Sequence, residues 1–511
     1  EILYNKINKN TSENVPVQGR AAWNVQENRR YVMSTNEKKN WGPIISTIAA
    51  IVVFLVLYFM PLPEGLTPEA QKSMALFAFA LIMWIAKPIP IYQTSLILIL
   101  LLPMLGAVEK QKTAFGALGF DIIWLMVAAF VLTSAMSATN LGKRIALYLT
   151  TKFAKTPTQV LVVFAIVNFI LAFFVPSTTA RASLIVPIAL VILEIYKAAP
   201  GKSKFGKLMM LQGVQNNAFA TSVVMTATSA QVLAVGFINE QAGGNVGYMQ
   251  WLLGSIPQAV LTTVIAFLVG LKMFNYKGEM GDVMNNATVS LKKQLEDMGP
   301  ISTKEKKALF IFLLTLTLWA TGDYQKAWFG FKISTEQTAV LGMLLCLLPG
   351  IGVIKWKEAN IKWDLMLFSA GAYAVGNAVD DTGAATWAIN HLVQAIGLDK
   401  MNPAMVAVIL IFITVFSHLI FTSKTVRTTI LIPAIISLAK GIGIDPVPLA
   451  LVCAFGISTT ITLPPHSKVN TLYFGTGYFS VKDELIFGLV SCFIAACSMS
   501  LIYFTWINVI L

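Results

Sequence analysis

Between residues 43 and 510 long apolar runs alternate with short polar links. As a helix, an apolar run of about 18 or more residues crosses the roughly 30 Å of a bilayer's hydrocarbon. Read this way, spans fall near 43–61, 73–88, 91–107, 121–138, 208–238, 249–274, 307–321, 334–353, 362–380, 447–478 and 484–510. Two more apolar segments, 157–196 and 403–440, are longer than one span and have polar centres. Residues 1–40 are polar and Asn-rich and are expected to be disordered. The run that follows them is too long for the core of a signal peptide. The pattern predicts an all-α polytopic membrane protein.

Composition agrees. Hydrophobic residues make up 56% of the 511, charged residues only 12%, and the mean hydropathy is +0.70. A soluble chain of this size could not solvate such a surface. The net charge of +13 does not point to nucleic acid, because its lysines and arginines are dispersed through the links. That dispersal is the signature of cytoplasm-facing loops. The Lys-bearing linker 275–306 divides the chain into a first half, 41–274, and a second half, 307–511, and is expected in the cytoplasm. Counting from a cytoplasmic N-terminus places the C-terminus outside the cell membrane. Cys346, Cys453, Cys492 and Cys497 have no metal-ligand spacing and read as small buried hydrophobes.

Segment 157–196 is flanked by Lys152 and Lys155 on one side and Lys197, Lys202, Lys204 and Lys207 on the other. Basic residues at both ends suggest entry and exit by the same face. Pro176 breaks any helix there, since proline has no amide hydrogen. Two readings fit: a pair of full spans, or a re-entrant hairpin whose polar tip stops inside. A repeat favours the hairpin. PSTTARASLIVPI (176–188) matches TSKTVRTTILIPA (422–434) at Ser177/Ser423, Thr179/Thr425, Arg181/Arg427 and Pro187/Pro433, a separation of 246 residues (423 − 177). LLLPMLG (100–106) resembles LLPGIG (347–352), and Gln93-Thr94 resembles Gln337-Thr338, at similar separations. Five spans lie between corresponding points, so the halves are expected to be inverted copies, as in many secondary transporters. The expectation is about eleven transmembrane helices plus two re-entrant hairpins, 157–196 and 403–440, whose tips meet near the midplane.

Charge at such depth needs a reason, because an ionised side chain there is costly without a partner. Lys424 and Arg427 lie in the second tip and Arg181 in the first. The polar runs NNAFATSVVMTATSAQ (216–231, with Thr226) and AFGISTTITLPPHSK (454–468, with Thr460 and His466) read as discontinuous helices beside the tips. Each residue has a plainer reading. Arg181 and Arg427 either face a ligand or clamp backbone carbonyls. His466 either contacts a ligand or caps a broken helix. The Ser/Thr runs either line a site or join helices. Asp380 and Asp381 fit a turn before Gly383 better than partnership with the cations.

These motifs resemble the divalent anion/sodium symporter family, whose tips carry Ser-Asn-Thr. Here the tips are Ser177-Thr178-Thr179 and Ser423-Lys424-Thr425. With PSTTARA and LYFGTGYFSVKDE (472–484), the resemblance is greatest to the branch of 2-oxoglutarate/malate translocators and citrate/succinate antiporters, and it covers roughly residues 41–511. It implies that Thr178, Thr179, Lys424 and Thr425 hold carboxylates while Ser177 and Ser423 shape the tips. It also implies a homodimer and an elevator-like motion. Both tip asparagines of the sodium-coupled members are replaced. Phe173 and Leu419 stand four residues before the two serines, where those members can carry a hydroxyl. Sodium requires several oxygen ligands, so the expectation is sodium-independent exchange of C4/C5 dicarboxylates, with Lys424 and the two arginines as fixed positive charge. No cofactor or metal is expected. The alternatives are a sodium-coupled dicarboxylate or citrate symporter and, more remotely, an anion channel. An enzyme is not expected: the three histidines lack metal-ligand spacing, and no nucleophile motif appears.

Overall fold

The computed structural model describes residues 41–511 except 155, 176, 277–283, 389–390, 392–400 and 422. The expectations for residues 1–40, for a break at Pro176 and for the start of the linker fall outside the described residues. Among the described residues there are helices and connections and no strand. In chain order the first half holds α1 (Gly42–Phe59), α2 (Pro68–Ala86), α3 (Ile91–Met104), α4 (Gln111–Phe115), α5 (Asp121–Ser137), α6 (Leu141–Phe153), α7 (Pro157–Phe174), α8 (Thr178–Ile195), α9 (Lys204–Val223), α10 (Ser229–Ala242) and α11 (Tyr248–Phe274). The rest holds α12 (Met284–Asp297), α13 (Thr303–Ala320), α14 (Gly322–Phe329), α15 (Thr335–Leu347), α16 (Trp363–Asp381), α17 (Pro403–Phe416), α18 (Lys424–Gly441), α19 (Pro446–Gly456), α20 (Lys468–Phe474) and α21 (Val481–Ile502).

Among the described residues seven helical stretches are long and apolar enough to cross a bilayer: α1, α2, Gln111–Ser137, α7, α8, α11 and Val481–Ile510. Four shorter apolar helices accompany them: α3, α15, Pro403–Leu419 and α19. The chain is a multi-pass membrane protein. Two runs expected as spans, 208–238 and 447–478, are each divided. The first divides at residues 224–228 into α9 and α10, and the second at 457–467 into α19 and α20. Dense Ser and Thr offer the backbone competing hydrogen bonds, and Pro464 and Pro465 cannot donate to a continuing helix. Elsewhere helix starts are fixed by side-chain caps. Ser302 with Glu305, Ser334 with Gln337 and Ser480 with Asp483 form reciprocal capping boxes.

Two groups of helices emerge from the packing. In one, α3 and α16 pack closely, with α2 beside both and α1 against α2. The Ser95 hydroxyl donates to the Phe368 carbonyl at 3.1 Å. A methyl on Gly371 would lie 2.4 Å from the Ser95 Cβ, so only glycine allows this approach. The second group surrounds α9, which is buried along nearly its whole length, as a helix at the centre of a bundle must be. Here the packing is reciprocal: α8 lies against α9 and α20, and α18 lies against α19 and α10. Each helix that follows a tip therefore contacts the first piece of one broken helix and the second piece of the other.

Candidate anion site at two helix breaks

Both serines of the repeat are N-caps. The Ser177 hydroxyl accepts from the Ala180 amide at 3.3 Å, and the Ser423 hydroxyl from the Val426 amide at 3.4 Å. Thr178, Thr179, Lys424 and Thr425 thus fall in the first turns of α8 and α18, where unpaired amides and the positive end of the helix dipole favour an anion. All four are partly exposed, in contrast to the buried residues just behind them.

The two arginines are fully buried, and their donors are engaged. Arg181 donates to the Val175 carbonyl at 3.1 Å, to the Asn217 carbonyl at 3.3 Å and to the Thr221 hydroxyl. Arg427 donates to the Ser417 hydroxyl at 2.8 Å, to the Thr414 carbonyl at 2.8 Å and to the Ile457 carbonyl at 3.2 Å. Each guanidinium therefore joins the segment before its tip to the broken helix beyond. Of the two readings from sequence, this geometry is that of the clamp. Breaking a helix frees carbonyls that must find donors, and a planar guanidinium supplies several at fixed angles. Only the Arg181 Nε–H, among these donors, has no partner.

Lys424 is different. Among the described residues no hydrogen bond or ion pair reaches its ammonium, while Arg427 and Arg181 are both close enough for their charges to act on it. Cations from the first and second tips therefore converge. The ion pairs among the described residues are elsewhere: Arg144–Glu305 at 3.1 Å, Lys207–Asp483 at 2.9 Å, Lys292–Glu296 at 3.8 Å and Lys440–Asp380 at 3.8 Å. Asp380 thus lies at the end of α16 and pairs with Lys440 at the far end of α18, away from the tip.

The remaining sequence candidates are dispersed around this centre. Thr226 lies in the first break and lines a cavity of about 30 Å³ with Thr133, Thr228 and Ser229. Thr460 is buried in the second break. His466 is nearly buried, and its Nδ1 is 2.9 Å from the Thr462 hydroxyl. Phe173 lines an apolar groove between α7 and α11, and Leu419 is half exposed at the turn after α17. Sequence reasoning missed Gln231, whose amide donates to the Thr221 carbonyl at 2.7 Å and to the Ser458 hydroxyl at 3.1 Å, tying one break to the other. It also missed Trp251 and Ser255 of α11, which donate to the freed carbonyls of Ser222 and Val223, and His418 beside the second tip. Gln231 closes the polar run 216–231, and for the others a polar or indole side chain inside an apolar run was the available signal.

Residues 41–511 match the family described as the sodium:sulfate symporter transmembrane region. The chain belongs to this divalent anion/sodium symporter family. A citrate/succinate antiporter of Escherichia coli K12 is 26% identical over 475 residues, which cover 87% of this chain and 94% of that protein. A sodium-dependent dicarboxylate transporter of Staphylococcus saprophyticus is also 26% identical, over 89% of this chain and 90% of its own length. A Cupriavidus necator protein named only as a membrane protein is 27% identical, over 92% and 93%. The two capped helix starts thus belong to a symporter-family protein, and this family member carries Lys424 in the first turn of one of them.

Proposed function

We propose that this chain is a secondary transporter that exchanges C4/C5 dicarboxylates, of the succinate, malate and 2-oxoglutarate class, without sodium. The observation that carries the reading is the Lys424 ammonium at the start of α18, which pairs with nothing among the described residues and lies in the field of two buried guanidinium groups. One carboxylate of the substrate meets Lys424 and the first-turn groups of α18; the other meets Thr178, Thr179 and the first-turn groups of α8. Charge-assisted hydrogen bonds of this kind are the strong ones. Arg181 and Arg427 hold the breaks open and supply positive potential from behind. The names of the relatives, one an antiporter and one sodium-dependent, support a di- or tricarboxylate as the cargo. Phe173 and Leu419 support independence from sodium, because neither side chain offers an oxygen.

Exchange follows from charge. With substrate bound, two of the three positive charges at the site are cancelled. Without substrate it keeps uncompensated cations, and moving those past an apolar barrier is costly. The reciprocal packing of α8 and α18 supports an inverted repeat with two re-entrant hairpins and about eleven spans, the N-terminus in the cytoplasm and the C-terminus outside the cell membrane. A homodimer with a moving substrate-carrying body completes the reading. The test is uptake of labelled succinate into proteoliposomes, empty or preloaded with succinate, with and without sodium. Uptake that needs preloading and ignores sodium is expected. Sodium-driven uptake into empty vesicles would establish the second reading, a sodium-coupled symporter, which the Staphylococcus relative favours. Non-saturable flux would indicate a channel.

A further inference from the structure

Behind the second tip lies a chain of hydrogen bonds that the exchange reaction does not use. His418 follows Ser417, an acceptor of Arg427, and is fully buried. Its Nδ1 is 2.7 Å from the Val415 carbonyl, and its Nε2 is 2.9 Å from the Thr462 hydroxyl. The same hydroxyl is 2.9 Å from Nδ1 of His466. A carbonyl can only accept, so His418 Nδ1 carries hydrogen. In the neutral ring Nε2 is then an acceptor, and Thr462 must donate to it. The Thr462 oxygen in turn accepts from His466 Nδ1–H, and among the described residues no hydrogen bond reaches His466 Nε2, the remaining basic nitrogen. His466 retains 7% exposure and His418 none, so the chain has an accessible end and a closed one.

We propose that His466, Thr462 and His418 form a relay that takes up one proton together with the anion. A proton arriving on His466 Nε2 lets that ring release its Nδ1 proton to the Thr462 oxygen. Thr462 passes its own hydroxyl proton to His418 Nε2. One proton enters, one N–H bond forms at each ring and one breaks at His466, and the positive charge appears on His418 beside the tip. The charged groups facing the relay are Arg427 and Lys424 of α18, both acting on His418, with Arg427 also acting on His466; Cys492 of α21 faces Arg427. Among the described residues no carboxylate pairs with the relay. Its counter-charge is therefore the bound substrate, and proton uptake accompanies anion binding. This rests on the anion site proposed above.

The test adds succinate to the purified, weakly buffered protein at a pH where succinate is fully ionised, and reads both binding and proton uptake. The wild type is expected to take up roughly one proton per succinate bound. Thr462→Val keeps the side-chain shape but removes the hydroxyl, and should bind succinate while losing most of the uptake. Thr462→Ser should retain it, and His466→Gln should lose it. Should Thr462→Val fail to fold, the contrast between Thr462→Ser and His466→Gln decides. Wild-type binding without proton uptake, or undiminished uptake in Thr462→Val or His466→Gln, would overturn the relay and leave the anion site standing. Absence of succinate binding by the wild type would overturn both.

Discussion

Thr179 and Thr425 occupy equivalent positions in the first turns of α8 and α18, and on the proposed reading each hydroxyl donates to one carboxylate. A lost hydrogen bond to a charged group is worth about 1.5–3 kcal/mol, or roughly tenfold to a hundredfold in affinity. Thr179→Ala and Thr425→Ala should each raise the KM for succinate by that factor while folding normally. Unchanged KM in both would remove the tips from the site. Lys424→Asn should also bind succinate more weakly. In addition it should admit succinate into empty vesicles, since less charge accompanies the returning site. Strict exchange in this variant would count against Lys424 as a built-in counter-ion. For Arg427 the expectation differs, because its donors reach Ser417, Thr414 and Ile457. Arg427→Lys keeps the charge but cannot span three acceptors. It should lower thermal stability and turnover more than it changes KM, and the same variant measured by melting and by uptake checks this.

At the scale of elements the breaks are held from outside as well as by the arginines. Gly488 of α21 lies against the second break, where an added methyl would come within 2.3 Å of the Ile461 carbonyl oxygen. Backbone cannot yield as a flexible side chain can, and overpacking of this kind costs about 1–3 kcal/mol. Gly488→Ala should therefore displace residues 458–462 and weaken both stability and succinate affinity, whereas Gly116→Ala, which meets nothing within 4 Å, should change neither. The breaks themselves were legible in the sequence, because Ser, Thr and paired prolines interrupt apolar runs there. So were the two helix starts at Ser177 and Ser423, through their shared Ser-x-Thr-x-Arg spacing. What fills the breaks was not. Trp251 and His418 read locally as isolated residues in apolar runs, and Gln231 as the end of a polar one. Their partners lie on other elements or beyond a turn, and only packing decides which carbonyl each one meets. Span counting was limited for a related reason: α3 and α19 are apolar but shorter than a full span, so length alone does not decide them.

For the whole molecule, the proposed exchange predicts that replacing external sodium with choline leaves succinate–succinate counterflow unchanged; a steep sodium dependence would restore the symport reading. The convergence of Lys424 with two buried guanidinium groups has one more consequence, which concerns voltage. A unit charge that traverses the full membrane potential changes energy by about 2.3 kcal/mol per 100 mV. A dianion cancels two of the site's three positive charges and the relay proton restores one, so the loaded carrier feels the field less than the empty one. An interior-negative potential draws the empty carrier's cations inward, and detains it there until an anion arrives from that side. Imposing a potassium diffusion potential should thus alter strict succinate exchange less than any leak of the empty carrier, and bias the leak of the Lys424→Asn variant less than any residual leak of the wild type. Polarised membranes would then act on this protein most strongly when it has nothing to carry.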